Sequence, residues 1–383
     1  MRKKVCISDL GTIITGNTPP RNRPELYGNH TPFIKATDIS ESEKYTYNPE
    51  ECYSEEGYNK YIKSLIPKGS TCVVTIGSIG KKMTMAHCDL FINQAMNAII
   101  PYACFDSEYV YYAVKNVLGN IKTLDSGTAS GRENVSKSAF SKMEIWVEEE
   151  LPIQQRIATI LSRYDSLIEN YQKQIKLLEE SAQRLYKEWF IDLRFPGHEN
   201  TKIVDGVPEG WEKKKVGDLI SKVLRTKQVS ANNYLNSGYI PVIDQSRNYI
   251  AGYTNDIESL VEVTIPYIVF GDHTRVLKYV PFSFAKGADG TQLIMSNDLE
   301  RMPQSLFYNS LIEIDLSNYS YARHFKYLKE ESILVSSKDI AQRYDKVVSQ
   351  YFQSIQKNRG QIHHLTEARD RLLPKLMNGE IEV

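Results

Sequence analysis

Residues 153–190 read IQQRIATILSRYDSLIENYQKQIKLLEESAQRLYKEWF, and residues 340–377 read IAQRYDKVVSQYFQSIQKNRGQIHHLTEARDRLLPKLM. The two stretches align without a gap at an offset of 187 residues. At that offset Ile153/Ile340, Gln155/Gln342, Arg156/Arg343, Tyr164/Tyr351, Ile168/Ile355, Gln174/Gln361, Ile175/Ile362, Leu178/Leu365, Glu180/Glu367, Arg184/Arg371 and Leu185/Leu372 coincide. A chain that carries one module twice has a pseudo-twofold internal repeat, which suits a two-part target or two copies of a partner.

Each copy is written as a long amphipathic helix. In the first, Ile153, Ile157, Ile160, Tyr164, Ile168, Tyr171, Ile175, Leu178, Ala182, Leu185 and Trp189 recur at spacings of three and four, a heptad seam with one stutter. The second keeps Ile340, Tyr344, Val347, Tyr351, Ile355, Ile362, Leu365, Leu372 and Leu376, but places Asn358 and Arg369 on the same stripe and Gly360 beside it. Isolated helices need a partner to bury such a face, and two matching stripes favour each other. The residues expected to pack in this spacer are Ile168, Ile175, Leu178, Leu185, Ile355, Ile362, Leu365 and Leu372. At about 1.5 Å per residue, each helix spans roughly 57 Å.

Ahead of each helix lies a mixed segment, giving an α+β chain. The first shows short strands at 32–35, 71–76 and 97–101 and a helix from Ser107 to Leu118, capped by Asp106 and stopped by Gly119. The second suggests strands near 239–243, 266–270 and 311–314, with turn signals at 286–290. The two mixed segments are otherwise unlike in sequence, so the repeat is expected to preserve the helices and let the globular parts diverge. Between the halves, Phe195-Pro-Gly-His-Glu-Asn-Thr201 combines helix breakers with polar residues and reads as a linker. The resulting division is 1–150, helix 151–195, linker 196–206, second globular part 207–335, and helix with tail 336–383.

The 383 residues carry a formal net charge of zero, which hides local polarity. Residues 41–56 hold six Glu against one Lys, whereas residues 57–88 hold Lys60, Lys63, Lys68, Lys81 and Lys82 and no acid. In the second globular part, 317–329 interleaves Arg323, Lys326 and Lys329 with Tyr319, Tyr321, Phe325 and Tyr327, at the repeat offset from Arg132, Lys137 and Lys142. Cations neutralise phosphates, while aromatic and small polar side chains reach base edges, so these pre-helix segments suit contact with DNA; a solvated face with half-buried tyrosines is the bland alternative. The residues expected to touch DNA are Lys81, Lys82, Arg132 and Lys137 in the first part and Arg275, Lys278, Arg323 and Lys326 in the second.

No catalytic, cofactor or metal site is legible. Asn17-Thr-Pro-Pro-Arg21 has an extra Thr for a methyltransferase loop, and Gly77-Ser-Ile-Gly-Lys81 lacks phosphate-loop spacing, with Lys82 where a hydroxyl belongs. The acids of Glu209 to Lys214 lie too close together in sequence for a nuclease metal site, and His363-His364 has no carboxylate at ligand spacing. Five cysteines with no CxxC pair read as reduced thiols of a cytoplasmic protein. No stretch reaches the roughly 18 apolar residues of a membrane span, so no membrane partner is expected.

Three motifs together are specific: Leu151-Pro-Ile-Gln-Gln-Arg-Ile157; Val207-Pro-Glu-Gly-Trp-Glu212 with Val216-Gly-Asp-Leu219; and Leu365-Thr-Glu-Ala-Arg-Asp-Arg-Leu-Leu-Pro-Lys-Leu-Met-Asn-Gly-Glu-Ile381. Pro32-Phe-Ile34, Gly77-Ser-Ile-Gly80, Asn93-Gln94 and Gly127-Thr128 are weaker echoes. Over essentially its whole length the chain resembles the specificity subunit of a type I restriction-modification system. It departs from that pattern in lacking a Pro-Glu-Gly-Trp opening before Val5 and in having Ser337-Lys-Asp339 where a Leu-Pro precedes the second helix. The resemblance implies two target recognition domains joined by two antiparallel helices forming a coiled-coil spacer. It implies that each domain reads one half of a split, asymmetric double-stranded DNA sequence, and that the helices fix the unread gap. It also implies that two methyltransferase subunits, which bind the methyl donor, and restriction subunits supply the chemistry. Two other readings stay open. A self-contained DNA-modifying enzyme would give product when incubated alone with DNA, methyl donor and magnesium, and a protein-binding coiled-coil scaffold would show no salt-dependent DNA affinity.

Overall fold

The computed structural model describes residues 2–125, 133–223, 226–319 and 323–383. The chain divides into two compact units, one made of Met1–Gln172 with Gly360–Val383 and the other of Lys173–Arg359. The first long helix runs Leu151–Tyr186 and the second Lys338–Asn378. Each therefore gives one end to each unit.

In the first unit, Gly11–Thr15, Met96–Pro101, Thr71–Val74 and Met83–Met85 form an antiparallel sheet in that order. A second sheet orders Tyr27–Gly28, Glu51–Tyr53, Thr31–Ile34 and Phe91–Ile92, its last pair parallel with Phe33 opposite Phe91. A ribbon of Arg2–Cys6 and Glu144–Glu148 leads into the first long helix. The expected helix is present as Ser107–Asn116, its Asp106 carboxylate accepting from the Tyr109 amide at 2.9 Å, and the chain then tightens into a 3-10 turn at Leu118–Leu124. Gln154, fully buried, fixes the start of the long helix: its amide donates to the Glu148 carbonyl at 2.8 Å and accepts from the Asp106 N–H at 2.9 Å.

The second unit repeats this plan. Tyr267–Gly271 pairs antiparallel with Leu277–Val280 and Thr291–Ile294, as Thr71–Val74 pairs with Met83–Met85 and Met96–Pro101. Ile240–Ile243 runs parallel to Phe284–Lys286, as Thr31–Ile34 does to Phe91–Ile92. Glu212–Lys215 and Ser332–Val335 rebuild the ribbon, and an isolated bridge of Ile220 to Ser296 stands where the first unit has the strand Gly11–Thr15. The repeat thus extends through the globular parts although their sequences have diverged. One fragment survives: Ile7-Ser-Asp-Leu10 and Val216-Gly-Asp-Leu219 each bury both apolar residues beneath the ribbon of their own unit.

The strand expected near 311–314 is not formed; Leu311 belongs to the helix Gln304–Ile312. A short apolar run bounded by polar residues fits a buried strand and a buried helix equally in period. Here Pro303 starts the helix, and Asn309 donates back to the Ser305 carbonyl at 3.0 Å, closing a turn that a strand cannot make. The stretch at 195–201 is anchored rather than loose. A π-turn, Lys187–Ile191, ends the first long helix, Phe195 packs at a tilt against Trp211 with ring centroids 4.7 Å apart, and His198–Asn200 makes a 3-10 turn.

Within each unit the two long helices run antiparallel. In the first, Asp165 meets Arg369, and Ile157, Ala158 and Leu161 share a core with Leu373, Leu376 and Met377. In the second, Gln174 meets Asn358 at 3.2 Å, Glu179 meets Arg359 at 3.1 Å, and the Tyr344 hydroxyl donates to the Ala182 carbonyl at 3.2 Å. The deepest residues are not all those of the expected seam. Leu161, Asp165, Tyr186 and Phe190 are buried, whereas Ile160, Tyr164, Leu185 and Trp189 are half-buried. Each helix packs on a globular part as well as on the other helix, which widens its buried face beyond a two-position stripe. Ile168 and Ile355 are buried; Ile175, Leu178, Leu185, Ile362, Leu365 and Leu372 are half-buried.

The two polar intrusions on the second stripe are satisfied. Arg369 donates to both Asp165 and Asp370, and Tyr112 of the helix Ser107–Asn116 donates to the other oxygen of Asp165. Truncating one member of a buried, hydrogen-bonded pair strands the other charge, at a cost of about 3–5 kcal/mol. Arg369→Ala is expected to lose that much stability in urea titration. Arg371→Ala, which removes an exposed i,i+4 partner of Glu367, should lose under about 0.5 kcal/mol.

Candidate nucleic-acid interface

The hairpin Tyr267–Val280 turns through Gly271-Asp272-His273-Thr274-Arg275, and the turn is locked to three other segments of its unit. The Gln245 side chain accepts from the His273 N–H at 3.1 Å and donates to the Asp289 carbonyl at 3.0 Å, while its main-chain carbonyl accepts from the Thr274 hydroxyl at 2.6 Å. Asp272 receives the Phe325 N–H on its carboxylate at 2.8 Å and the His324 ring on its carbonyl at 2.8 Å. His324 is buried and its other nitrogen meets the Tyr319 carbonyl at 3.1 Å. Residues 244–249, 271–276, 287–290 and 323–326, together with Tyr319, therefore form one cluster. Gly290 can only be glycine here, since a Cβ would lie 2.6 Å from the His273 ring and its φ is +72°.

Backbone strain concentrates in the same place. Among the described residues five non-glycine residues have positive φ, and three of them, Arg275, Asp289 and Arg323, belong to this cluster. Left-handed backbone costs roughly 1–2 kcal/mol for a residue with a Cβ and persists where the surroundings impose it, often at functional sites. Arg275 and Arg323 are exposed, as is Lys326 in the helix His324–Glu330. One guanidinium nitrogen of Arg275 donates to the Leu316 carbonyl at 3.0 Å, which fixes its direction.

Lys278 is placed differently from the others. It is 4 % exposed, and its ammonium donates to the carbonyls of Asp244 at 2.8 Å and Asn248 at 2.5 Å, with the Asp244 carboxylate at 3.7 Å. Burial lowers its pKa to about 8 despite that carboxylate. It holds the loop 244–248 from beneath rather than facing outward, because both faces of Leu277–Val280 are covered and the loop lies over the one that carries Lys278.

The first unit builds the matching place with other residues. Its hairpin turns through Gly77-Ser-Ile-Gly80, both glycines left-handed, and the Gly77 N–H donates to the Glu133 carbonyl at 3.0 Å. Ile76 bridges to Asn134, and the Val135 N–H donates to the Thr75 carbonyl at 2.9 Å, so the pre-helix segment lies along the turn as 323–326 does in the second unit. Lys81 is exposed; Lys82 is half-buried, its amine on the Ala36 carbonyl at 3.3 Å. Lys137 is exposed at the first position of the helix Lys137–Ser141, capped by Ser136. Arg132 lies outside the described residues.

Sequence reasoning missed the residues that organise the clusters: Gln245, Asp272 and His324. Their signal was weak, a Gly-Asp turn between two apolar runs. It also missed Lys44, the lone cation of the acidic stretch 41–56. Lys44 is 4 % exposed, paired with Glu108, and set over the rings of Tyr45, Tyr111 and Tyr112 at 5.0–5.3 Å. No group of three metal-ligating side chains occurs among the described residues, and no described helix is long and apolar enough to cross a membrane.

Comparison with known proteins agrees with this architecture. Residues 2–180 match the family described as the type I restriction modification DNA specificity domain. The type I restriction enzyme MjaIX specificity subunit of Methanocaldococcus jannaschii is 28 % identical over 98 % of this chain and 93 % of its own length. The HindI specificity subunit of Haemophilus influenzae is 36 % identical over 36 % of this chain and 30 % of its own. The crystal structure of a type I restriction-modification S subunit from M. genitalium superposes with a TM-score of 0.58 at 19 % identity, covering 98 % of this chain and 96 % of that one. Over residues 2–180 the chain matches this specificity-domain family, and over nearly its whole length it is similar to a type I specificity subunit.

Lys278 supplies a pH test. Below pH 8 its ammonium is charged whether the chain is folded or unfolded, and burying it costs stability. Between about 8 and the ordinary value of 10.5 only the unfolded chain keeps the proton, so the cost is relieved as pH rises. The stability of wild type relative to Lys278→Met should therefore increase across that window, by at most about 3 kcal/mol. Urea titrations of both proteins at pH 7.5 and 10 measure it, and a pH-independent difference would contradict the buried ammonium.

Proposed function

We propose that this chain is the DNA-reading subunit of a type I restriction-modification complex, each globular unit reading one half of a bipartite, asymmetric target. The observation that supports this most directly is the duplicated loop cluster. Two units of one topology carry a hairpin turn tied to a pre-helix segment at equivalent places, with unlike residues on them. A shared scaffold with diverged tips is what reading two different half-sequences requires, since base edges are discriminated by individual side chains. Lys81, Lys82, Arg132 and Lys137 contact one half-site and Arg275, Arg323 and Lys326 the other, while Lys278 supports the loop from within. The chain gathers two methyltransferase subunits and, through the complex, restriction subunits; it works in the cytoplasm.

The triple substitution of Arg275, Arg323 and Lys326 by Ala should weaken binding of the assembled complex to all sequences. If all three meet phosphates, the slope of log K against log salt should fall by about 2–3. Loss of preference at a single base position would instead mark a base contact. Unchanged affinity and slope in filter binding would remove this surface from the interface.

The long helices set the separation of the half-sites in this reading. A heptad inserted after Gln174, matched by one after Gln361, lengthens each helix by about 10.5 Å. That corresponds to roughly three base pairs of duplex, with about a third of a turn of rotation to absorb. Methylated-site mapping in cells carrying the modified complex should return the same two half-sequences with a wider gap. The same half-sequences with an unchanged gap would show that the helices do not set the spacing.

A further inference from the structure

We infer that the buried pair Asp165–Arg369 decides which helix the first long helix accepts: the second long helix of its own chain, and not the same helix of a second copy.

The repeat creates the problem that this pair solves. Ile168/Ile355, Ile175/Ile362, Leu178/Leu365 and Leu185/Leu372 are identical at equivalent positions, so the apolar seam hardly distinguishes one helix from the other. Two chains could therefore pair first helix with first helix and second with second, antiparallel, and match nearly all of those positions. The seam differs where the units differ. At the 187-residue offset Asp165 corresponds to Phe352, and Arg369 corresponds to Ala182. The ion pair of the first unit is thus the repeat equivalent of Phe352 and Ala182 in the second, both buried in one apolar core, where Phe352 stacks on Tyr279 at 4.2 Å.

In a like-with-like dimer these partners are exchanged. Asp165 would face Ala182 of the second copy, and Arg369 would face Phe352. Both side chains are 4 % exposed in the first unit, where no water can replace a lost partner. Buried charge without its counter-charge is strongly unfavourable, whereas the intramolecular arrangement matches charge with charge and apolar with apolar. Size adds to the mismatch. Tyr344 and Phe190 meet edge to face at 5.2 Å in the second unit, and their repeat equivalents are Ile157 and Met377, so like-with-like pairing would set Phe190 against Ile157.

The test uses full-length chains carrying two different affinity tags, co-expressed and purified through one tag, with the second tag and the dimer mass read by native mass spectrometry. Wild type should give little mixed species. Asp165→Phe with Arg369→Ala writes the second unit's residues into the first and removes the discrimination, so the mixed dimer should rise at least tenfold. A folded double variant with no more mixing than wild type would overturn the inference. If that variant does not fold, co-expression of an Asp165→Arg chain with an Arg369→Asp chain decides. Each alone opposes like charges across the seam, but together the first helix of one matches the second helix of the other in trans. A soluble mixed dimer is expected from that pair, and none from the charge-swapped Asp165→Arg/Arg369→Asp chain. Failure of the two single variants to rescue each other, or equal mixing by the charge-swapped chain, would show that the pair does not choose the partner.

Discussion

A carboxylate and a guanidinium taken out of water can be held only by satisfying nearly every donor and acceptor they present, and Asp165 and Arg369 meet that condition through three different segments. Asp165 is held by Arg369 of the second long helix and by the Tyr112 hydroxyl of the helix Ser107–Asn116, and Arg369 is held in turn by Asp370. One turn away from Tyr112, Glu108 pairs with Lys44. Burial and the nearby Arg369 lower the Lys115 pKa to about 8, so even the third basic group near this network is under pressure to lose its proton. A helix sliding by one turn would strand several of these groups at once. The network thus sets the register of the helix pair and seats the globular part of the first unit on it.

The second unit reaches the same arrangement by aromatic packing. Tyr344 lies against Phe190 and Tyr186, Trp211 of the Pro-Glu-Gly-Trp motif covers Phe190, and Tyr279 stacks on Phe352. That motif is therefore a packing device for the end of the first long helix. In the first unit the equivalent end is made by Leu373, Leu376 and Met377 against aliphatic neighbours. Two copies of one module have kept the outline of their contact while exchanging its chemistry.

The helices and their repeat were legible because heptad periodicity accumulates over dozens of residues, and chance matches rarely persist that long. Asn358 and Arg369 stood out as interruptions, but what satisfies them is contributed by Gln174, Asp165 and Asp370, and the Asp165 contact lies about 200 residues away in sequence, a distance across which pattern carries no information. The same limit hid the second unit's topology, since strands of two to five residues offer too few positions to show a period. Of the candidate contact residues, exposure separates Lys81, Lys137, Arg275, Arg323 and Lys326 from Lys278. Sequence could not make that distinction, because Lys278 is covered by the loop 244–248, a contact some thirty residues away in sequence that no local pattern marks.

The division of the chain also imposes an order in time. The second unit is continuous, Lys173–Arg359, and every residue it needs has been joined to the chain before Gly360 is added. The first unit is interrupted: Asp165 is synthesised early, but Arg369 arrives only after the whole second unit. At roughly 5–20 residues per second, that leaves the first globular part waiting on the order of ten to forty seconds for the strand of helix that completes it. During that interval a buried-type aspartate and the apolar face around Leu161 stand open on the nascent chain. The last two dozen residues are in this sense the closing step of assembly, and a chain cut short near Gly360 would retain a complete second unit beside an unfinished first.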